Sequence, residues 1–369
     1  MGEVTGGAVR YGIVGTGMMG VEHINNLQAI DGTTVTALAD PDERSLDQGW
    51  SALHRDPAVA RFASHQDLIA ADVCDAVIIA SPNHTHRQVL VDVLASSLHV
   101  LVEKPLCTTV DDCRAVLDVA AAGPEQRVVW MGLEYRYMPP TRRLLGEVRR
   151  GTVGRVQMMS IREHRFPFLH KVAHWNRFNR NTGGTLVEKC CHYFDLMNLV
   201  VGTRPRRVMA SGGQAVNHLD ETYDGERPDI LDHAYVVVEY DGGARAALDL
   251  CMFAEASKNE QELCVIGDEG KVEALVTEGV LRVGRRADGV GTVTDHDTAD
   301  PAVRFEGFHH GSSYLEHLDF LDAIRTGGPA TVTLDDGLWS VAVGQAAHRS
   351  IDESRWVELS ELVAEEPAR

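Results

Sequence analysis

VRYGIVGTGMMG, residues 9–20, carries the strongest local signal for the fold of this chain. Its apolar half, Val9–Val14, predicts a strand, and the amphipathic pattern that follows predicts a helix. Between them, Gly15, Gly17 and Gly20 stand in GxGxxG spacing. The first glycine permits a tight turn, the second lets a pyrophosphate approach the main chain, and the third lets the helix pack closely on the strand. The stretch therefore predicts a βα unit that binds a dinucleotide at the helix N-terminus.

The residues around this turn extend the prediction to a particular cofactor. Thr16, Met18 and Met19 fill the loop, and Asp40 ends the next predicted strand. A carboxylate at that position accepts hydrogen bonds from a ribose 2′-hydroxyl and repels the 2′-phosphate of NADP. Arg44 follows closely and weakens the discrimination, but NAD is the expected cofactor. The alternative is a tight βα turn without a ligand.

The wider pattern of strands and helices predicts two domains. In the first third, continuous apolar strands such as Ala76–Ala80 alternate with amphipathic helices, which is typical of a parallel sheet covered on both faces. Beyond residue 151 the strands are longer and often alternate polar with apolar residues, which favours antiparallel pairing. We therefore expect an α/β chain with a doubly wound, parallel Rossmann domain at residues 1–130. An α+β domain with a large, mainly antiparallel, open-faced sheet is expected at residues 131–369.

Composition and charge narrow the possible partners. The 369 residues carry a formal net charge of -19, which disfavours binding to nucleic acid or to anionic lipid. We find no apolar run of the roughly 18 residues that a membrane span requires. The seven cysteines include no CxxC pair, as expected for reduced thiols in a cytoplasmic protein.

A second candidate site follows another predicted strand. Glu103, Lys104 and Pro105 come directly after the apolar run His99–Val102. Parallel sheets bind ligands at the carboxyl ends of their strands, so a lysine at this point is a candidate catalytic group. The alternative is a surface lysine paired with its neighbouring glutamate.

A third candidate site is the segment GGTLVEKCCHYFD, residues 183–195. Glycines before and after it predict one helix over Thr185–Val201. At about 100° per residue, Glu188, His192 and Asp195 share one face of that helix. His192 is the natural proton acceptor, because an imidazole exchanges protons near neutral pH.

Each of these three side chains also has another interpretation. Thr185-x-x-Glu188 has the spacing of a capping box, in which the glutamate bonds back to the helix start. His192 could be a buried, hydrogen-bonded histidine. Asp195 could hold the second nitrogen of His192 or extend the contacts to a substrate.

The two adjacent cysteines of this segment, Cys190 and Cys191, are not expected to bind a metal. Their side chains diverge by about 100° on a helix, whereas zinc sites space their cysteines by two to four residues. Adjacent cysteines on a helix do not readily form a disulfide. Apolar packing is the better interpretation of Cys190, and no metal is expected.

Taken in order, these segments resemble the glucose–fructose oxidoreductase / inositol dehydrogenase / rhizopine catabolism (Gfo/Idh/MocA) family over nearly the whole chain. Further matches are Ser81-Pro82-Asn83, the later His86, and Arg136 within MGLEYRYMPP. Glu134 departs from the family's usual Asn or Gln, and Glu188 from its usual Asp. The pattern Tyr314…Phe320…Gly327, followed by Asp335-Asp336-Gly337, resembles the family's ending.

The resemblance implies a set of binding residues. The implied cofactor contacts are Gly15, Thr16, Gly17, Met18, Met19, Gly20, Asp40, Ser81, Pro82, Asn83, His86, Glu103, Lys104, Arg136 and Trp175. The implied substrate contacts are Lys104, His164, Arg165, Asn176, Glu188, His192 and Asp195. A charged strand and a polar surface loop are the alternative for residues 162–165 and 174–178. The resemblance also implies a homo-oligomer, a dimer or a tetramer, formed through the exposed face of the second sheet.

The implied reaction is oxidation of a secondary alcohol of a sugar or cyclic polyol, or its reverse. A hydride passes to NAD, while Lys104 and His192 handle the hydroxyl proton and Glu188 assists. Two alternatives stay open. One is a redox-neutral enzyme with tightly bound NAD, which cleaves a glycoside or epimerises a sugar through transient oxidation. The other is a non-catalytic NAD or sugar sensor on the same fold.

Overall fold

The computed structural model describes residues 7–124 and 127–363, which form two compact units. Unit 1 comprises Met1–Glu134, Lys171–Trp175 and Pro301–Leu338; unit 2 comprises Tyr135–His170, Asn176–Asp300 and Trp339–Arg369. The sequence predicts a single domain boundary, between residues 130 and 131. Each compact unit of the structure instead combines three segments that are distant in sequence. The outer ends of the predicted domains, residues 1–6 and 364–369, lie outside the described residues.

The helices and strands are numbered in chain order. The helices are α1 (Met18–Gln28), α2 (Glu43–Ala52), α3 (His65–Ala70), α4 (His86–Leu94), α5 (Val110–Ala121), α6 (Pro139–Arg149), α7 (Asn179–Thr182), α8 (Thr185–Glu188), α9 (Cys191–Val201), α10 (Ser312–Thr326) and α11 (Leu334–Glu353). The strands are β1 (Val9–Val14), β2 (Thr33–Ala39), β3 (Ala60–Phe62), β4 (Ala76–Ile79), β5 (His99–Glu103), β6 (Val129–Gly132), β7 (Val156–His164), β8 (Pro205–Gly213), β9 (His233–Tyr240), β10 (Arg245–Cys251), β11 (Gln261–Gly267), β12 (Gly270–Leu275), β13 (Val280–Arg285), β14 (Thr294–Asp297) and β15 (Val357–Glu358). Among the helices of the described ranges, none has the length and apolar character needed to cross a membrane.

Unit 1 contains a six-stranded sheet in the order β3-β2-β1-β4-β5-β6. All of its strand pairs are parallel. The central strands are buried along most of their length, which matches their continuous apolar sequences. This strand order is that of the doubly wound dinucleotide-binding fold, whose ligand crevice lies where the order reverses, between β1 and β4. The predicted Rossmann domain is confirmed.

The core of unit 1 includes a helix from late in the chain. Phe320 of α10 packs against Tyr11 of β1 and Trp130 of β6, with ring centroids 6.3 and 6.0 Å apart. All three rings are buried. The late sequence pattern around Phe320 therefore belongs to the hydrophobic core of the nucleotide-binding unit.

Unit 2 contains a nine-stranded sheet in the order β14-β13-β12-β11-β7-β10-β9-β8-β15. Only β7 and β10 pair in parallel among the described strand pairs of this sheet; the other pairs are antiparallel. Burial alternates along β9 and β10, so one face of the sheet packs inward and the other is exposed. The predicted mainly antiparallel α+β fold is confirmed.

Candidate active site

The glycine turn between β1 and α1 leaves room for a ligand at one of its three glycines. Gly15 has a φ of +87°, and a Cβ there would lie 2.4 Å from the Ser81 nitrogen. A Cβ at Gly20 would lie 2.1 Å from the Gly15 oxygen. At Gly17, by contrast, no described heavy atom lies within 4 Å of the Cβ position. Within the described residues, the first turn of α1 carries no acidic side chain, and its N-cap residue is Gly17, which makes no side-chain capping bond. The turn therefore fits the pyrophosphate of a dinucleotide.

Asp40 at the end of β2 is tied to this turn. Its Oδ2 accepts hydrogen bonds from the Thr16 main-chain nitrogen at 2.8 Å and from the Thr16 hydroxyl at 3.3 Å. Its Oδ1 accepts one from the Asp42 nitrogen at 2.9 Å. The carboxylate is thus held beside the glycine turn, as required of a group that binds the ribose of the same dinucleotide.

The turn after β4 is joined to the turn after β5 by His86. The ring of His86 is fully buried. Its Nε2 lies 3.0 Å from the Ser81 carbonyl oxygen and its Nδ1 lies 2.8 Å from the Pro105 carbonyl oxygen. His86 therefore fixes the spacing of the two turns that carry Ser81-Pro82-Asn83 and Lys104.

Glu103 anchors the main chain of Lys104 at the end of β5. Its Oε2 accepts a hydrogen bond from the Lys104 nitrogen at 3.1 Å, and its Oε1 lies 3.0 Å from Nε2 of His23. Nδ1 of His23 lies 2.9 Å from Nε2 of His317 on α10. Burial, followed by the effect of His23, lowers the pKa of His317 well below its usual value. Lys104 thus follows a strand end that is held in place by the buried side chains of Glu103, His23 and His317.

Trp175 groups with unit 1 although its neighbours on the C-terminal side belong to unit 2. It lies edge-on to His84, with ring centroids 6.3 Å apart. The preceding residues Ala173 and His174 both have left-handed backbone conformations. This placement beside the turn after β4 is compatible with the predicted cofactor contact of Trp175, which stays a prediction.

In unit 2, the predicted single helix over Thr185–Val201 is wrong in one respect. The helix is interrupted at Lys189 and Cys190, so that α8 and α9 are separate. The interruption coincides with close contacts from α11. The Leu186 nitrogen donates to Nε2 of His348 at 3.1 Å, and a Cβ at Gly344 would lie 2.6 Å from the Leu186 oxygen. These tertiary contacts fix α8 independently of α9.

The start of this segment also differs from the capping box that begins at Thr185 in the sequence prediction. Gly184 occupies the N-cap position of α8, and no side chain caps it. The Thr185 hydroxyl instead donates to the Leu231 carbonyl at 2.6 Å. The Thr185 hydroxyl therefore does not serve as the predicted cap, and both interpretations of Glu188, as a capping residue and as a catalytic group, stay predictions.

Asp195 forms a buried ion pair with Arg136. The guanidinium donates through Nε at 2.7 Å and through a terminal nitrogen at 2.5 Å. Asp195 is 1% exposed and Arg136 is 9% exposed. The pairing with Arg136 is neither of the two roles that sequence suggested for Asp195, and it gives Arg136 a contact besides the predicted one with cofactor.

His192 is stacked on a tyrosine that sequence reasoning missed. The rings of His192 and Tyr135 lie parallel, with centroids 3.8 Å apart and 5° between their planes. Lys189 donates through Nζ to the Tyr135 hydroxyl at 2.5 Å and lies 3.0 Å from Oε1 of Glu163. Burial lowers the pKa of Lys189, and Arg165 lowers it further, against the effect of Glu163.

The predicted substrate residues of β7 and the following loop have protein partners of their own. His164 lies 3.3 Å from an oxygen of Asp249. Arg165 lies 3.4 Å from both Glu163 and Glu260. Asn176 is buried and donates to the Leu169 carbonyl at 2.9 Å. Substrate contacts from these residues stay a prediction.

Glu134, which replaces the expected amide, is part of a buried polar group in unit 1. Its Oε2 accepts hydrogen bonds from the hydroxyls of Ser312 and Ser313, and its Oε1 lies 2.9 Å from Nδ1 of His309. Two hydroxyl donors and an imidazole suit a carboxylate at this position.

Both paired cysteines are fully buried, and neither forms a disulfide with a described residue. Burial raises the pKa of Cys190 well above its usual value, so its thiol is uncharged. The Cys191 thiol lies 3.7 Å from the Glu188 carbonyl oxygen, at the break between α8 and α9. The prediction that Cys190 packs as a small apolar group is confirmed.

Comparisons with known proteins identify the family of this chain. The model of the oxidoreductase family's NAD-binding Rossmann fold matches residues 9–132. The model of the same family's C-terminal alpha/beta domain matches residues 146–359. Together the two models cover most of the chain, and both carry the family name Gfo/Idh/MocA.

Individual relatives span nearly the whole chain. A myo-inositol 2-dehydrogenase of Thermotoga maritima is 26% identical over 361 residues, which cover 96% of this chain and 100% of the relative. Inositol 2-dehydrogenase 1 of Saccharopolyspora erythraea is 27% identical over 367 residues, or 98% of each chain. A levoglucosan dehydrogenase in complex with NADH and levoglucosan shares the fold, with a TM-score of 0.82 at 19% identity over 95% of this chain and 99% of its own. The resemblance predicted from sequence is confirmed: the chain belongs to the Gfo/Idh/MocA family and is an NAD-dependent oxidoreductase.

Proposed function

We propose that the chain oxidises a secondary hydroxyl of a sugar or cyclic polyol, of the inositol or glycoside type, with NAD as the hydride acceptor. The observation that carries this proposal is the full-length similarity to two inositol 2-dehydrogenases. Within the family, the described geometry supports a hydroxyl substrate. Ionisable groups are buried around His192, and Lys104 lies at the carboxyl end of a parallel strand, where such sheets bind ligands.

In this proposal the protein's own side chains handle the proton of the substrate hydroxyl. His192 accepts it, since a neutral imidazole is a base near neutral pH. The Lys104 ammonium stabilises the negative charge that develops on the substrate oxygen. Glu188, buried one turn before His192, orients the imidazole or bonds a neighbouring hydroxyl. Bound NAD supplies the hydride acceptor.

The NAD site of the proposal is formed by residues of unit 1. The glycine turn and the N-terminus of α1 hold the pyrophosphate, and Asp40 holds the ribose hydroxyls. The turn after β4, with Ser81, lines the nicotinamide side, and Trp175 covers it. Support comes from the open space at Gly17 and from the bonds that fix Asp40 beside the turn.

The test measures NADH formation with a panel of inositols, free hexoses and glycosides. His192→Ala and Lys104→Ala should each lose about 10² to 10⁴ in turnover, which is the usual value of general-base assistance. Both variants should still bind NAD, although Lys104 is itself a predicted cofactor contact. Lys258→Ala, at an exposed lysine, should keep full turnover. Wild-type turnover in either site variant contradicts the residue assignment. Purified protein that carries stoichiometric NAD and makes no net NADH supports the redox-neutral alternative instead.

We also propose that the exposed face of the large sheet joins copies of this chain. Met158, Tyr235, Val237 and Ile266 are exposed apolar residues, and the strand register places them on that one face. Exposed apolar residues clustered in this way are typical of protein interfaces. Light scattering should give the mass of a dimer or tetramer, and Tyr235→Glu should reduce it; a monomeric wild type contradicts the proposal.

A further inference from the structure

A buried lysine lies directly before the cysteines of the candidate catalytic segment, and neither the sequence prediction nor the proposed mechanism uses it. Lys189 is 5% exposed. Removing an ammonium from water is costly unless its hydrogen bonds are replaced. Lys189 replaces them with the Glu163 carboxylate at 3.0 Å and the Tyr135 hydroxyl at 2.5 Å. These two buried contacts hold the Lys189 ammonium at one position.

The anionic partner of Lys189 is fixed by the sheet. Glu163 stands on the inward face of β7, two residues beyond the buried Ile161 and four beyond the buried Met159. It pairs across the strands with Gln261 of β11 and Leu250 of β10. A carboxylate on a central strand has little freedom to move, so it provides a rigid anchor for Lys189.

The second partner of Lys189, Tyr135, carries the ring that stacks on His192. Aromatic pairs usually prefer offset or edge-to-face arrangements, whereas these two rings lie 3.8 Å apart and nearly parallel. His192 is the second residue of α9, directly after the break that separates α9 from α8. The main chain before it is therefore not held by a continuous helix, and the stack with Tyr135 contributes to fixing the plane of the imidazole.

From these contacts we infer that Lys189 is a positioning residue, which holds Tyr135 by its hydroxyl so that the phenol ring fixes the orientation of His192. The order of contacts is Glu163, Lys189, Tyr135 and His192. The inference rests on the proposed function, because it assigns His192 the role of proton acceptor. A base must be held in the correct geometry to act, and a displacement of about 1 Å can cost on the order of 100-fold in rate.

Two substitutions separate this role from general support of the fold. Lys189→Met removes the ammonium and keeps much of the side chain's length, and Tyr135→Phe keeps the ring but removes the hydroxyl. Each should lower kcat by roughly 10- to 100-fold while leaving KM for NAD and for the polyol nearly unchanged. The double variant should lose no more than the larger single effect, since both changes break one contact. Lys271→Met, at an exposed lysine paired with Glu273, serves as the control with wild-type kcat.

If Lys189→Met fails to fold, two other variants still test the inference. Glu163→Gln combined with Lys189→Met replaces the charged pair with an uncharged one, and Tyr135→Phe leaves every charge in place. Both should show the same loss of kcat. Unchanged kcat in these two variants, or a rise in KM alone, overturns the inference.

A second measurement does not depend on turnover. In protein labelled at its histidine rings, the His192 signals are assigned by their loss in His192→Ala. Stacking on the face of Tyr135 should shift them upfield, and Lys189→Met should move them towards the values of an unstacked imidazole. If no polyol yields NADH but the shift changes, the proposed function fails and the positioning role holds. If the shift stays at its wild-type value in Lys189→Met, the positioning role fails.

Discussion

Replacing Asp195 with alanine should destabilise unit 2 by several kcal/mol, because it leaves the Arg136 guanidinium buried without its carboxylate. The two groups meet through two hydrogen bonds of 2.7 and 2.5 Å, and both are almost fully buried. At an effective dielectric constant of about 20 and a charge separation of about 4 Å, the attraction is about 4 kcal/mol. Removal of one partner of a buried pair typically costs about 3–5 kcal/mol, in agreement with that figure.

The assay is urea unfolding followed by far-ultraviolet circular dichroism, with the change taken from the transition midpoint at unchanged slope. Arg136→Met combined with Asp195→Leu should recover most of the loss, since apolar pairs often replace buried ion pairs without cost. Asp295→Ala breaks the exposed pair with Arg282, which also has two hydrogen bonds. It is the matched control, and about 1 kcal/mol or less is expected.

A stable Asp195→Ala protein would contradict this account of the ion pair. If its free energy of unfolding equals that of the wild type while KM for the polyol rises sharply, Asp195 acts on the substrate, as the sequence first suggested. A loss of stability that the double replacement fails to recover would also contradict the ion-pair account, because the cost would then lie in packing.

Three further predictions concern a histidine, the glycine turn and the choice of cofactor. Burial lowers the pKa of His348 to about 4; between pH 6.5 and 4 the unfolded chain therefore binds a proton that the folded chain does not. The contribution of His348 to the free energy of unfolding should be complete above pH 6.5 and fall by up to about 3 kcal/mol as pH drops to 4. In urea titrations, His348→Gln should remove that part of the pH-dependent loss. Gly20→Ala should fail to give folded protein, because its Cβ would lie 2.1 Å from the Gly15 oxygen. Gly17→Ala should fold, because no described heavy atom lies within 4 Å of its Cβ position, but it should bind NAD at least about 10-fold more weakly in calorimetry. Asp40→Ser should raise kcat/KM for NADP relative to NAD, and an unchanged ratio would show that Asp40 does not select the cofactor.

The glycine turn and the lysine after β5 were predictable because their signals are local. A strand, a glycine spacing and an acid at the end of the next strand lie within one short stretch, and each has a direct steric or electrostatic reason. The Thr185-x-x-Glu188 pattern is equally local, yet the Thr185 hydroxyl bonds to Leu231 instead. A tertiary partner 46 residues away took the place of the local one.

The cluster around Lys189 could not be predicted in the same way. Tyr135 lies 54 residues before Lys189 in the chain, and no spacing rule connects them. One signal was present: Glu163 falls on the inward side of an alternating strand after Met159 and Ile161, where a charge requires a partner. The break between α8 and α9 has no such signal, because it coincides with the close approach of Gly344 from α11.

The position of α10 in the core of unit 1 has a consequence for how the protein is made. Phe320 covers the rings of Tyr11 and Trp130 in the core. It is synthesised long after the six strands of the parallel sheet. Part of the core of unit 1 therefore stays exposed on the nascent chain until most of the polypeptide has been synthesised. A truncated product that stops soon after residue 132 would expose that surface permanently, and we expect it to aggregate rather than yield a free-standing NAD-binding fragment.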